Sequence, residues 1–365
     1  MKTRNITIDI MRGITITLMI IGHLIPYASY SFNIIYSFHM PIFFLLSGYC
    51  SASSLLKAEK MHFGKFLWKK IKALYVPLLV LRVLFNLMLG DTAVMLSNPL
   101  LFLYNPGDWF LQTLFWGDLL FFLFIYLCRR FPHPSVRFLL PALWIVISTY
   151  LLDLSRTLGP KINPYLPFHF GILALCFAFM LIGYLISLAA PRLKALQYTK
   201  NDTAEDGVKP RVSIPFCVIL ACFATIALIY MRENVVVNVA TTYIGNSYFI
   251  FFAFGLLLIY LVYVISKCLS SVPHVGQFLA FWGRNSLYVY IVHAFIHNGM
   301  NLLLERLTGT LYTPMIDLPW YFCILYFVLD FVLIIPYILL HNKIKSILKS
   351  KLHRPKKSPP EASAS

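Results

Sequence analysis

Three ionisable residues stand in an apolar stretch near the start of the chain: Asp9, Arg12 and His23, within RNITIDIMRGITITLMIIGHLIPYASY. Charged or titratable groups at bilayer depth are costly, so they face a protein interior or a wet cavity and mark function. An imidazole titrates near neutrality and suits a general base. Arg12 and His23 are eleven positions apart, about 1100° of helical rotation, or about 20° past three turns. The two side chains therefore share one stripe of a helix, about 16 Å apart along its axis. Asp9 lies one turn before Arg12 and is placed to pair with it. The structural alternative is that Arg12 snorkels to the headgroups and His23 is a satisfied core residue.

The elements that would hold these groups are membrane spans. Of 365 residues, 59% are hydrophobic and only 12% charged, with mean hydropathy +0.74. A soluble domain carries charge at about a quarter of its positions. The pattern predicts an all-α, polytopic integral membrane bundle of about ten transmembrane helices. They fall near 8–28, 31–52, 73–90, 109–128, 138–154, 168–189, 212–231, 243–266, 285–304 and 320–340. The first is too long and too polar at its start for a cleaved signal peptide, so it reads as a retained span. Residues 1–341 form the transmembrane domain, and 342–365 a basic cytoplasmic tail whose composition predicts disorder. The loop 190–211 is polar and reads as mobile.

The net charge of +17 does not point to nucleic acid. Of the 31 Lys and Arg residues, 25 fall in the segments that lie inside when the N-terminus is inside, against 4 in the outer loops. That asymmetry predicts a multi-pass protein of the cell (inner) membrane with both termini cytoplasmic. The seven cysteines form no CxxC pair and suit small buried apolar roles, so no metal is expected.

Four further stretches carry polar chemistry. In SFHMPIFFLLSGY, Pro41 should disturb the helix near His39, leaving the second span broken or re-entrant, while Ser47 and Gly48 permit close packing. In FLWKKIKALYVPLL, the cluster Lys69, Lys70 and Lys72 precedes Pro77. In DWFLQTLFWGDLLFF, Trp109 opens a span and Asp118 lies deeper, either orienting a site group or pairing with Arg82. In FWGRNSLYVYIVHAFIHNGM, Ser286 and His293 share a helix face beside Asn285. Asp330, in the last span, has no role assigned by spacing. No GxSxG nucleophile elbow occurs.

Arg12–x10–His23 followed by SFHMPIFFLLSGY resembles the acyltransferase family 3 of integral membrane proteins, in particular its fucose 4-O-acetylase-like branch. The resemblance runs from Arg4 to about His341, and its specific part is the first fifty residues. It implies an O-acetyltransferase that uses acetyl-CoA as acyl donor to modify a sugar hydroxyl of a surface polysaccharide or related glycan. The acceptor would be free or lipid-linked, within reach of membrane lipid and of polysaccharide biosynthesis machinery. Catalysis falls to His23 with Arg12 and Asp9. Substrate contacts fall to His39, Ser47, Trp109, Asn285, Ser286 and His293, and donor contacts to Arg12, Lys69, Lys70 and Lys72. Lysine stands where many members have arginine, and it lacks the bidentate fork that suits a phosphate.

Each of these groups has a structural alternative. The lysines serve equally as positive-inside flanks, Trp109 as an interfacial belt residue, and Asn285, Ser286 and His293 as an interhelical hydrogen-bond network. His23 would act as base in a ternary complex or pass through an acetyl-imidazole; the residues leave both open. By helix rise, Arg12 lies about 6 Å and His23 about 22 Å into a core of about 30 Å. The rival classes are a glycan transporter or flippase, and a signalling or assembly component of the membrane. Against the first, the polar groups concentrate on one span pair and not on two matched halves.

Overall fold

The computed structural model describes residues 5–58, 60, 62–89, 109–131, 133–158, 170–201, 225, 237–239, 243–244, 248–310, 312, 316 and 318–352. Helix α1 spans Ile6–Gly22 and starts where the Asn5 side chain accepts a hydrogen bond from the Thr7 amide at 3.0 Å. It ends six residues earlier than its hydropathy predicts. Pro26 disfavours helix for the residue before it, and Ala28 takes a left-handed turn conformation at φ 58°. His23 is therefore the C-cap of α1, its amide bonded back to Met19 and Ile20.

Ser29 then caps α2, Tyr30–Leu56, by accepting from the Phe32 amide at 3.3 Å. Helix α2 is continuous through Pro41, which corrects the expectation of a broken or re-entrant span. A proline removes one amide donor, here the one that would bond the Ser37 carbonyl. That carbonyl faces Gly255, where an added Cβ would lie only 3.2 Å from it, so a close-packed helix covers the gap.

The remaining elements are α3 (Phe63–Lys70), a π-helical turn (Ile71–Tyr75), α4 (Val76–Leu89), α5 (Trp109–Arg130), α6 (Pro134–Leu158), α7 (Phe170–Asn201), β1 (Val237–Asn238), β2 (Tyr243–Ile244), α8 (Tyr248–Leu269), α9 (Pro273–Arg284), α10 (Ser286–Thr308) and α11 (Trp320–Leu352). Strands β1 and β2 pair antiparallel, Val237 opposite Ile244, a small departure from the all-α expectation in a valine-rich segment. The Val237 amide donates to Asn33 Oδ1 at 3.0 Å, so this pair sits on the start of α2.

Seven of the described helices are long and apolar enough to cross a membrane: α2, α5, α6, α7, α8, α10 and α11. Helix α7 runs on to Asn201, so the loop predicted at 190–211 is helical at its start, where LKALQ favours helix. Helix α9 was not among the expected spans. The span predicted at 212–231 lies outside the described residues except for residue 225, and of the tail, residues 353–365 lie outside them too.

Two crossings between glycines set the frame. A methyl at Gly283 of α9 would collide with the Asp9 carbonyl and the Gly13 amide of α1. A methyl at Gly183 of α7 would strike the Leu45 carbonyl of α2, and one at Gly48 the Met180 carbonyl of α7. Backbones pack directly at both points, as small residues allow between membrane helices. Helix α1 is thereby wedged among α2, α8, α9 and α10, and α10 lies against α11.

Candidate active site

The end of α1 brings His23 inward. Its ring stacks on that of His293 from α10, with centroids 5.4 Å apart and planes at 26°. The Tyr36 hydroxyl of α2 lies 3.5 Å from His23 Nδ1. Tyr36 also meets His39 edge-on at 4.8 Å, one turn further along α2. On the other side, His293 meets His297 at 5.4 Å and 86°, and His297 Nε2 lies 2.8 Å from Asp330 Oδ2 of α11. Four helices thus contribute one row: His39, Tyr36, His23, His293, His297 and Asp330. His39, His293, His297 and Asp330 are buried, and His23 is only half-buried, so it is the imidazole of the row most open to a substrate.

Hydrogen bonds assign two of the tautomers. A carbonyl oxygen only accepts, so His39 Nδ1–H donates to the Ile35 carbonyl at 2.7 Å, and His293 Nδ1–H to that of Val289 at 3.2 Å. In the neutral ring each then keeps its Nε2 lone pair. His23 differs: among the described residues its ring-nitrogen neighbour is the Tyr36 phenol, which can donate or accept. Chemically, the row can take a proton from a hydroxyl, hold it, and return it.

The other sequence-predicted residues divide. Arg12 is half-buried, its guanidinium 3.7 Å from Cys50 Sγ on α2, and Asp9 is buried where α9 crosses α1. Ser47 donates to Asp118 Oδ1 at 3.0 Å, and Lys70 Nζ lies 2.6 Å from Asp118 Oδ2. The partner of Asp118 is thus Lys70 and not Arg82, and both carboxylate oxygens are engaged. Lys70 and Ser47 therefore tie α3 and α2 to α5. Lys69 and Lys72 stay exposed around a shallow pocket of about 360 Å³ shared with Lys65, Trp68 and Ala73, and Lys72 Nζ lies 5.2 Å over the Trp68 ring.

Trp109 is half-buried at the start of α5. Its neighbour Phe110 touches Tyr290, which touches His293, so Trp109 stands behind the row and not in it. Asn285 is the C-cap of α9, and its side-chain amide donates to the Phe281 carbonyl at 2.8 Å. Ser286 begins α10, two turns before His293. Tyr36, His297 and a role for Asp330 escaped the sequence reading. The spacings that could have found them are His293 to His297, four apart, and Tyr36 to His39, three apart.

A family model described as an acyltransferase domain matches residues 5–343, nearly the whole chain. The chain belongs to acyltransferase family 3. Among curated proteins, it is similar to the nodulation protein NolL of Mesorhizobium japonicum, 28% identical over 198 residues, which are 49% of this chain and 48% of that protein. It is also similar to NolL of Sinorhizobium fredii, 32% identical over 88 residues, 21% of this chain and 23% of that one. The chain thus spans about half, or less, of the curated relatives it matches. No solved structure matches. Family membership together with seven membrane-length apolar helices makes this an integral membrane protein with an acyltransferase domain.

Proposed function

We propose that the protein is a membrane O-acetyltransferase that moves an acetyl group from acetyl-CoA to a sugar hydroxyl of a cell-surface polysaccharide or related glycan. The observation that carries this reading is the half-open His23 at the end of α1, stacked on His293 and backed by a buried imidazole–carboxylate pair. His23 removes the acceptor hydroxyl proton. The alkoxide forms a bond to the thioester carbonyl carbon, the carbon–sulfur bond breaks, and His23 returns the proton to the departing sulfur. The site therefore ends each turnover in the state in which it began. His39 and His293, each with a free Nε2 in its neutral form, hold the acceptor hydroxyls around His23.

Arg12, about three turns before His23 on the same stripe, meets the donor with Asp9 beside it, and the exposed Lys69 and Lys72 attract the donor phosphates. The branch of the family is the fucose 4-O-acetylase-like one. The bundle crosses the inner membrane ten times, with α1, the run from α3 to α4 and the stretch 212–231 as the crossings beyond the seven. Both termini are cytoplasmic, which brings coenzyme A to the lysine side and the glycan to the His23 side. The acceptor is delivered by the polysaccharide biosynthesis machinery, free or on a lipid.

The test is transfer of radiolabelled acetyl from acetyl-CoA to polysaccharide in membranes or proteoliposomes holding the purified protein. His23→Ala is expected to lower the rate by roughly 10²–10⁴-fold. Transfer at the wild-type rate would end the assignment of the base, and transport of the glycan without labelling would move the protein to the transporter class.

A further inference from the structure

The reaction as written uses His23 and its immediate neighbours, and it leaves unexplained why a carboxylate lies buried two rings behind His23. Asp330 is fully buried in α11, and only one of its oxygens, Oδ2, is engaged, by His297 Nε2 at 2.8 Å. Its Oδ1 has no hydrogen-bond partner among the described residues. A buried carboxylate held this sparsely is a poor structural device, because apolar residues of similar size pack as well or better. Such a group belongs where a positive charge has to be met.

The positive charge can be located. Helix α10 places His293 and His297 four residues apart on one face. The Asp330 carboxylate accepts from His297 Nε2–H and fixes that ring. The fixed ring meets His293 edge-on, and His293, pinned by the Val289 carbonyl, lies flat against His23. A second brace closes the back of the cluster. The Tyr326 ring sits 5.3 Å from His297, and its hydroxyl donates to Asn301 Oδ1 at 2.6 Å. Among the described residues, the rings facing His23 are Tyr36 and His293, with His39 behind the one and His297 behind the other. Among these and Asp330, the carboxylate is the one group of negative charge type, so it is the one suited to offset an imidazolium formed at His23.

We propose that His297 and Asp330 are positioning residues of the transfer reaction: Asp330 orients His297, His297 holds His293 against His23, and the carboxylate offsets the positive charge that appears on His23 while it carries the acceptor's proton. No atom of either residue is consumed. The hydroxyl proton goes to His23 and from there to the departing sulfur, as before. At two ring spacings and a hydrogen bond the electrostatic part of this effect is modest, roughly five- to tenfold in rate at an effective dielectric near 20. The proposal rests on His23 being the base, and the experiment keeps the two apart.

Asp330→Asn keeps an acceptor for His297 and removes the charge. Measured on folded protein in proteoliposomes, its kcat is expected to fall roughly five- to tenfold, with KM for acetyl-CoA and for acceptor unchanged and Asp330→Glu recovering most of the loss. In a His23→Ala background, Asp330→Asn is expected to have no further effect, because Asp330 works through that ring. His297→Gln, whose amide can still donate to Asp330, carries the same comparison should Asp330→Asn fail to fold. A folded Asp330→Asn or His297→Gln protein with wild-type kcat overturns the proposal, as does an equal loss from Asp330→Asn with His23 absent. If His23→Ala itself is fully active, the base assignment fails first.

Discussion

At the residue scale, the separation of the basic cluster into two kinds of lysine has measurable consequences. Lys70 lies against buried Asp118, which Ser47 also contacts, whereas Lys69 and Lys72 border an open pocket. Removing one partner of a buried ion pair leaves the other charge uncompensated, at a cost of roughly 3 kcal/mol. Lys70→Ala is therefore expected to lower the melting temperature in detergent clearly, while the fraction that folds keeps its KM for acetyl-CoA. Lys69→Ala and Lys72→Ala are expected to do the reverse, raising that KM with little change in melting temperature. A rise in KM from Lys70→Ala without loss of stability would return Lys70 to the donor site. The same fork appears in the reading of the sequence: three lysines within four positions look alike, and only the carboxylate from α5 distinguishes one of them.

At the scale of elements, the site depends on how closely α1 can approach α9, since α1 delivers His23. The contact is backbone on backbone at Gly13 and Gly283. Gly283→Leu is expected to push the helices apart and cost about 3 kcal/mol, read as loss of the monodisperse peak in fluorescence-detected size exclusion. Gly299 of α10, where an added Cβ meets nothing within 4 Å, is the control: Gly299→Ala is expected to leave both the peak and the activity in place. The break between α9 and α10 is a second determinant. Asn285 ends one helix by bonding the Phe281 carbonyl, so that Ser286 begins the next in the direction that brings His293 to His23. Asn285→Ala is expected to cost about 1 kcal/mol of stability through the lost cap bond. It should lower kcat more than it raises KM, measured with the acetyl-transfer assay.

At the scale of the whole molecule, the prediction concerns orientation. In the proposed orientation, argued from the skew of Lys and Arg toward alternate segments, the loop after α10 is expected outside and the end of α11 inside. Helix α11, with 33 residues, is about 50 Å long and outruns a core of about 30 Å, so in that orientation its basic C-terminal turns are expected to reach the cytoplasm. In a background freed of native cysteines, Arg306→Cys is expected to react with a membrane-impermeant thiol reagent added to intact cells. Lys345→Cys is expected to react only after the membrane is opened. Labelling of both from outside would refute a cytoplasmic C-terminus.

The membrane class and the spans of α2, α5, α10 and α11 were legible in the sequence, because apolar length alone sets them. So was the prominence of His23, His39 and His293, since an ionisable group among apolar residues declares itself by its cost. The end of α1 and the unbroken course of α2 were less legible: the first turns on Pro26 and Ala28, the second on Gly255 from a distant helix lying against the carbonyl that Pro41 frees. What tertiary structure alone decided is partnership. Asp118 had Arg82 as a candidate partner and meets Lys70; Asp330 had no partner legible in the sequence and meets His297, 33 positions away, at 2.8 Å. Burial makes a polar side chain seek a partner, but any of several lies within reach along the chain, and only the packing of α1 between α2 and α10 determines which imidazole stands against which.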